Sequence, residues 1–185
     1  NMKHPINIFY DDDSKKWYRK HFDTIIELNY NLPVVHISYW EAQAYAKYRD
    51  ARLPTEYEYV YLATNGGKTK YPWGDDSNIN KYCNSDYKVN DVVCVNDNKN
   101  KLGENKWGVS GLYGDCWYWT SSRFAPFDGF NIDPIYDTFS YPFFYNRIVV
   151  KGSSWCTGKE LVYSKYRNSQ EPDKCFHYTG LRLCK

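Results

Sequence analysis

"SYWEAQAYAKYRDARLPTEYEYVYLAT", residues 38–64, decides the fold class, because it carries two helix starts of the same kind seventeen residues apart. Ser38 is followed by Glu41 and Thr55 by Glu58. A hydroxyl residue three positions before a glutamate satisfies two otherwise orphaned backbone N–H groups reciprocally, so each pair predicts a helix N-terminus. Trp40, Ala44 and Tyr48 fall on one face of the first helix, and Tyr57, Val60 and Tyr61 group on the second. "NGG" at 65–67 supplies residues tolerant of a left-handed backbone and ends the second helix.

Outward from these helices the chain reads as short extended pieces in irregular connections. Asp23–Leu28 alternates like a strand, "VVHIS" after Pro33 reads as buried and extended, and "RIVVKG" and "YTGLRLCK" are later strand candidates. Residues 75–106 are polar and rich in turn formers, with one strand candidate at Asp91–Val95. That stretch reads as a solvated connection, because no part of it fits the spaced acidic template of a calcium loop. The fold class expected is α+β, irregular and loop-rich, with two short helices near the N-terminus, in a single domain over 1–185.

Bulk composition narrows the function. The 185 residues carry a formal net charge of +2, which gives no electrostatic reason to expect nucleic acid or an anionic membrane as partner. No apolar run approaches the roughly 20 residues of a spanning helix. The first residues, "NMKHPINIFYDDD", lack a signal peptide's apolar core, so a cytoplasmic location is the expectation. Aromatics make up 19% of the chain, enough to stabilise a fold with little regular structure. The six cysteines form no C-x-x-C pair and are read as free, mostly buried thiols ahead of a disulfide framework.

Four stretches together resemble one family: "PVVHISYWEAQAYAKYRDARLPTEYEYVYLAT", "YPWGDD", "GLYGDCWYWTSS" and "VVKGSSWCTG…YRN…YTGLRLCK". They are similar to the formylglycine-generating-enzyme, or sulfatase-modifying-factor, domain, which implies a C-type-lectin-like fold. "FAPFDGFNIDPIYDTFSYPFF" resembles, within that family, the C-terminal domain of the iron-dependent sulfoxide synthases that make ergothioneine and ovothiol. The family's opening strands have no counterpart here, so the domain is expected to be incomplete on its N-terminal side.

The resemblance also sets expectations for chemistry. The two copper-binding cysteines of formylglycine-generating enzymes fall at Thr157 and Val162, which cannot bind copper(I), leaving Cys156 as a packed small side chain beside Trp155. Two calcium-ligand positions fall at Gly111 and Tyr118, neither offering a carboxylate or amide. The four histidines, His4, His21, His36 and His177, make no pair at helical spacing, so the chain itself is expected to carry no cofactor, with iron(II) only on a separate histidine-bearing domain. His36 reads as a structural histidine, and Trp117 and Trp119 as core.

The ligand-binding candidates are Arg167, Asn168, Gln170, Lys174 and Trp155. In the synthases the matching positions hold a small zwitterion, hercynine- or cysteine-like. Gln170 and Lys174 depart from the acidic residue and the arginine found there, and lysine cannot reproduce arginine's two-pronged grip on a carboxylate. Two functions stay open. The chain is the substrate-binding domain of a sulfoxide synthase, inactive on its own and partnered by an iron-binding domain or another protein; or it is a non-catalytic C-type-lectin-like binding or structural module.

Overall fold

Both capping boxes form. The computed structural model describes residues 4–185. In it Ser38 Oγ accepts from the Glu41 backbone N–H at 3.2 Å while the Glu41 carboxylate accepts from the Ser38 N–H at 2.7 Å. This starts α1, Tyr39–Tyr48, and the Thr55–Glu58 pair starts α2, Glu56–Ala63, in the same way. The buried faces are not those the aromatic spacing suggests. α1 buries Tyr39, Ala42 and Ala46, leaving Trp40 and Tyr48 exposed, and α2 buries Glu56, Tyr59 and Ala63, leaving Tyr57 and Tyr61 exposed. Alanine lets a helix approach a sheet closely, whereas a tyrosine or tryptophan can lie half in water.

The N-terminal segment forms an antiparallel meander of β1 (Ile8–Asp11), β2 (Lys16–His21) and β3 (Thr24–Glu27). Only β3 was legible as a strand. After α2 come two short helices, α3 (Ile79–Tyr82) and α4 (Asn98–Leu102). The main sheet has the order β6-β5-β4-β7, built from β4 (Trp117–Arg123), β5 (Ile148–Gly152), β6 (Asn168–Gln170) and β7 (Thr179–Gly180). β4 pairs antiparallel with β5 and parallel with β7, and β6 is an edge. The architecture is α+β with short helices, small sheets and long connections, as expected.

Strand β4 organises the core. Successive side chains point to opposite faces of a strand. Trp117 and Trp119 therefore pack with Ala42, Ala46, Leu53 and Val150, while Tyr118 packs with Tyr59, Ala63, Leu112 and Val162 on the other side. The Trp119 indole N–H also donates to the Ile37 carbonyl at 2.9 Å.

Three expectations are corrected. Asp91–Val95 is not a strand but an irregular segment, because its backbone is engaged by side chains: Asn84 donates to the Asp91 carbonyl and the Val93 N–H donates to Asp115. "VVHIS" is buried only at Ile37 and Ser38, and His36 adopts a left-handed backbone with φ 62° that breaks any strand. The polar stretch 75–106 is not simply solvated, since Asn84, Ser85, Asn100 and Asn105 are buried and bonded within the fold.

Beneath α2 lies a buried charge cluster. The Glu56 carboxylate accepts from Arg167 Nε at 2.7 Å and Nη2 at 2.9 Å, and Lys151 Nζ lies 3.8 Å from it. Lys151 also donates to the Ser164 and Tyr166 carbonyls, at 2.8 and 2.6 Å. Burial pulls the Lys151 ammonium down to about 8 from 10.5, against the opposing pull of Glu56. A lysine whose folded value lies below its unfolded one releases its proton on folding between the two values, so stability rises as pH climbs from about 8 toward 10.5. Cys116, Tyr59 and Tyr113, all pushed up by burial, act oppositely once the unfolded thiol and phenols ionise, from about pH 9 upward. Urea unfolding compared at pH 7 and pH 9 should therefore show a gain of about 1 kcal/mol in the wild type relative to Lys151→Met. A difference between the two proteins that is the same at both pH values would refute it.

Candidate functional site

The sequence candidates divide between two places. Arg167, Asn168 and Gln170 lie at or in β6, with Lys174 in the turn beyond. β6 pairs with β5 so that Asn168 faces Val150 and Gln170 faces Ile148. Trp155 lies past Gly152, at the other end of β5. Five strand residues span about 14 Å, so one small zwitterion does not touch both Trp155 and Gln170.

Arg167 is spent inside the protein. Besides gripping Glu56 it donates Nη1 to the Ala125 carbonyl at 2.9 Å, and its guanidinium lies 4.1 Å from the Phe127 ring centroid. Asn168 turns its side-chain oxygen back to the Ser169 N–H at 2.8 Å. Lys174 is exposed, 3.6 Å from Glu171. Because β6 is an edge strand, the flank bearing these groups has no further strand against it.

Trp155 backs a cavity of about 410 Å³ between the β2–β3 hairpin and residues 28–36. Its ring packs 5.1 Å from Tyr178 and 6.4 Å from Phe22, both of which line the cavity. Val34, Val35 and Leu28 give the space apolar walls, with Arg19, His21 and His36 as polar groups. The Arg19 guanidinium is held in two-pronged contact with Asp91, and His21 Nδ1 lies 3.7 Å from the same carboxylate. His36 packs 4.7 Å from Tyr178, and burial lowers its pKa, so the imidazole is neutral at pH 7 with Nδ1 unpartnered. Such a space suits a small, largely apolar molecule with one hydrogen-bonding group.

A second cavity, of about 310 Å³, opens past Val95 and Asn96 and reaches Asp115, Asn100, Tyr118 and Arg182. None of the five sequence candidates lines either cavity. Asp115 and Arg182 were not singled out from sequence. A lone aspartate in a glycine turn and an arginine among C-terminal apolar residues carry no local signal of their partners.

The metal positions carried by the resemblance can be tested on donor sets. Thr157 Oγ accepts from the Ser154 N–H at 2.9 Å and Val162 is buried in the core, so no copper pair exists there. Tyr118 Oη donates to the Gly111 carbonyl at 2.7 Å, an arrangement without a carboxylate for calcium. Among the described residues no three His, Cys, Asp or Glu side chains converge to hold a metal, and the four histidines do not fit an iron triad. Cys156 is partly buried with its sulfur 3.3 Å from Ser154 Oγ. None of the six cysteines is in a disulfide, and only Cys83 and Cys116 are fully buried. Burial pushes the Cys116 thiol up to about 12.

Residues 10–185 match the profile of the sulfatase-modifying factor enzyme 1-like domain. The chain belongs to that family. It is 31% identical over 170 residues to the hercynine oxygenase of Mycobacterium tuberculosis, a match covering 89% of this chain and 39% of the oxygenase. It is 34% identical over 103 residues to the inactive Cα-formylglycine-generating enzyme 2 of Mus musculus, covering 51% of this chain and 33% of that protein. The chain thus spans well under half the length of these relatives. Among solved structures, PvdO from Pseudomonas aeruginosa superposes with a TM-score of 0.66 at 19% identity, covering 85% of this chain and 63% of that one. At that identity the likeness is one of fold. Among the described residues no helix is long and apolar enough to cross a membrane.

Proposed function

We propose that this family member is the ligand-binding domain of a hercynine-oxygenase-like sulfoxide synthase, a system that joins a cysteine sulfur to the imidazole of a histidine derivative. The observation that carries the reading is the 31% identity to a hercynine oxygenase maintained over 89% of the chain. The domain presents the β6 edge to a zwitterionic substrate. Lys174 supplies a charge for the carboxylate, and the side chains of Asn168 and Gln170 supply hydrogen bonds. Arg167 acts as a positioning residue, tying the start of β6 to Glu56. Iron(II) belongs to a separate histidine-bearing domain.

Calorimetric titration with hercynine tests this. One-to-one binding is expected, weakened at least tenfold in Lys174→Ala and unchanged in Trp155→Phe. No binding, or equal affinity in Lys174→Ala, would defeat the reading. With cysteine, hercynine, iron(II) and dioxygen the chain is expected to form no sulfoxide until a histidine-bearing iron domain is supplied.

One observation favours the second reading, a non-catalytic C-type-lectin-like binding or structural module. The Arg167 guanidinium donates three times to groups inside the protein, which is how a fold-stabilising arginine behaves.

A further inference from the structure

Asp115 and Arg182 are two charges facing one cavity, each without an opposite charge. Asp115 is 3% exposed. Its carboxylate accepts from Asn84 Nδ2 at 2.8 Å, the Val93 N–H at 2.8 Å and Asn100 Nδ2 at 3.2 Å, all neutral donors. Arg182 donates Nη2 to the Ser110 carbonyl and lies 4.9 Å from the Tyr118 ring centroid. Its Nε is buried with no partner, and so is Asn100 Oδ1. Among the described residues no carboxylate lies within 4.0 Å of Arg182, and no cationic group lies that close to Asp115.

A desolvated charge left unpaired is costly, and so is a buried donor without an acceptor. Proteins keep such groups where something else completes them. The space they share, about 310 Å³, lies at the small-molecule end of ligand pockets and has apolar walls at Pro33, Val34 and Leu181.

From this geometry we infer that the second cavity binds a free amino acid, its carboxylate on the Arg182 guanidinium and its ammonium on the Asp115 carboxylate and the Asn100 side-chain oxygen Oδ1. The unpartnered Nε and an Nη of Arg182 offer the fork that a carboxylate accepts. The Asp115 and Asn100 oxygens need a donor with N–H bonds, so a primary ammonium fits and a quaternary one does not. The side chain of a small aliphatic amino acid rests on Val34 and Leu181. This site is independent of the β6 edge, and its ligand differs from hercynine by carrying N–H bonds on its α-nitrogen, which is quaternary in hercynine.

The test is titration of the chain with L-alanine, glycine betaine, propionate and ethylamine, followed by calorimetry and by the side-chain ¹H–¹⁵N signal of Arg182 Nε. Alanine is expected to bind and to shift that signal. The other three should bind at least tenfold more weakly, since each lacks one of the two complementary groups. Arg182→Lys, which keeps charge but loses the fork, and Asp115→Asn, which keeps shape but loses charge, should each weaken alanine at least tenfold. Lys174→Ala should not, which separates this site from the one proposed above. Equal binding of betaine or propionate would overturn the assignment of Asp115. An Arg182 Nε signal unmoved by saturating alanine would overturn the site, and needs no variant that might fail to fold.

Discussion

Glu56→Ala is expected to destabilise the domain by about 3–5 kcal/mol. Glu56 stands at the first position of α2 with its side chain 6% exposed, and it is the carboxylate that two buried cations share. Removing it leaves Arg167 with its charge still held under the Phe124 and Phe127 rings, and Lys151 at 2% exposure with only carbonyl partners. The loss is large because neither cation can reach water without pulling apart the β5–β6 pairing. Against a typical total of about 5–15 kcal/mol, that is a fifth or more of the stability. Urea unfolding monitored by tryptophan fluorescence measures it. Glu56→Gln, which preserves volume, should recover only part of the loss. A change below about 1 kcal/mol would mean that the cluster does not hold the sheet to α2.

Gly114→Ala is expected to cost about 2–5 kcal/mol, from left-handed strain and forced overpacking together. Gly114 has φ 83°, and an added Cβ would meet the Asn84 backbone at 2.6 Å from its oxygen and 2.7 Å from its nitrogen. Those atoms cannot retreat, because the Asp115 N–H donates to the Asn84 carbonyl at 2.9 Å and the Asn84 side chain is fixed on Asp115. The change would also disturb the carboxylate that lines the second cavity, so amino-acid binding should fall with stability. Gly67→Ala is the control: φ is 81° there, but nothing lies within 4 Å, so only the backbone strain of about 1–2 kcal/mol applies. Equal losses at the two glycines would show that contact with Asn84 is not what constrains position 114.

How much of this was legible depends on whether the signal was local. The two capping boxes were, because the pairs that make them lie three residues apart. The family was, because four stretches of the sequence resemble its motifs in the same order and at matching intervals. The buried faces of the helices were not, since tyrosine and tryptophan read as apolar yet Trp40 ends with its indole N–H on Asp173 at 2.6 Å. The candidate site was legible only in part. Arg167 was found, but its partner Glu56 lies 111 positions away and reads from sequence as an ordinary first-turn glutamate. Asp115 and Arg182 escaped notice for the same reason. Their importance comes from facing one space, and nothing in either neighbourhood announces the other.

Strand β4 carries a consequence for how the molecule comes apart. Because alternate residues of this one strand furnish both hydrophobic clusters, neither can melt while the other stays intact. Detaching Trp119 from α1 also detaches Tyr118 from α2. The helices and the main sheet therefore form one cooperative unit with a single opening event. The β1–β3 meander, whose outer strand is exposed along its whole length, is held to that unit by the Arg19–Asp91 contact and can open separately once that contact lets go. The wall of the first cavity that the meander supplies can thus yield to an incoming molecule while the body behind it stays closed.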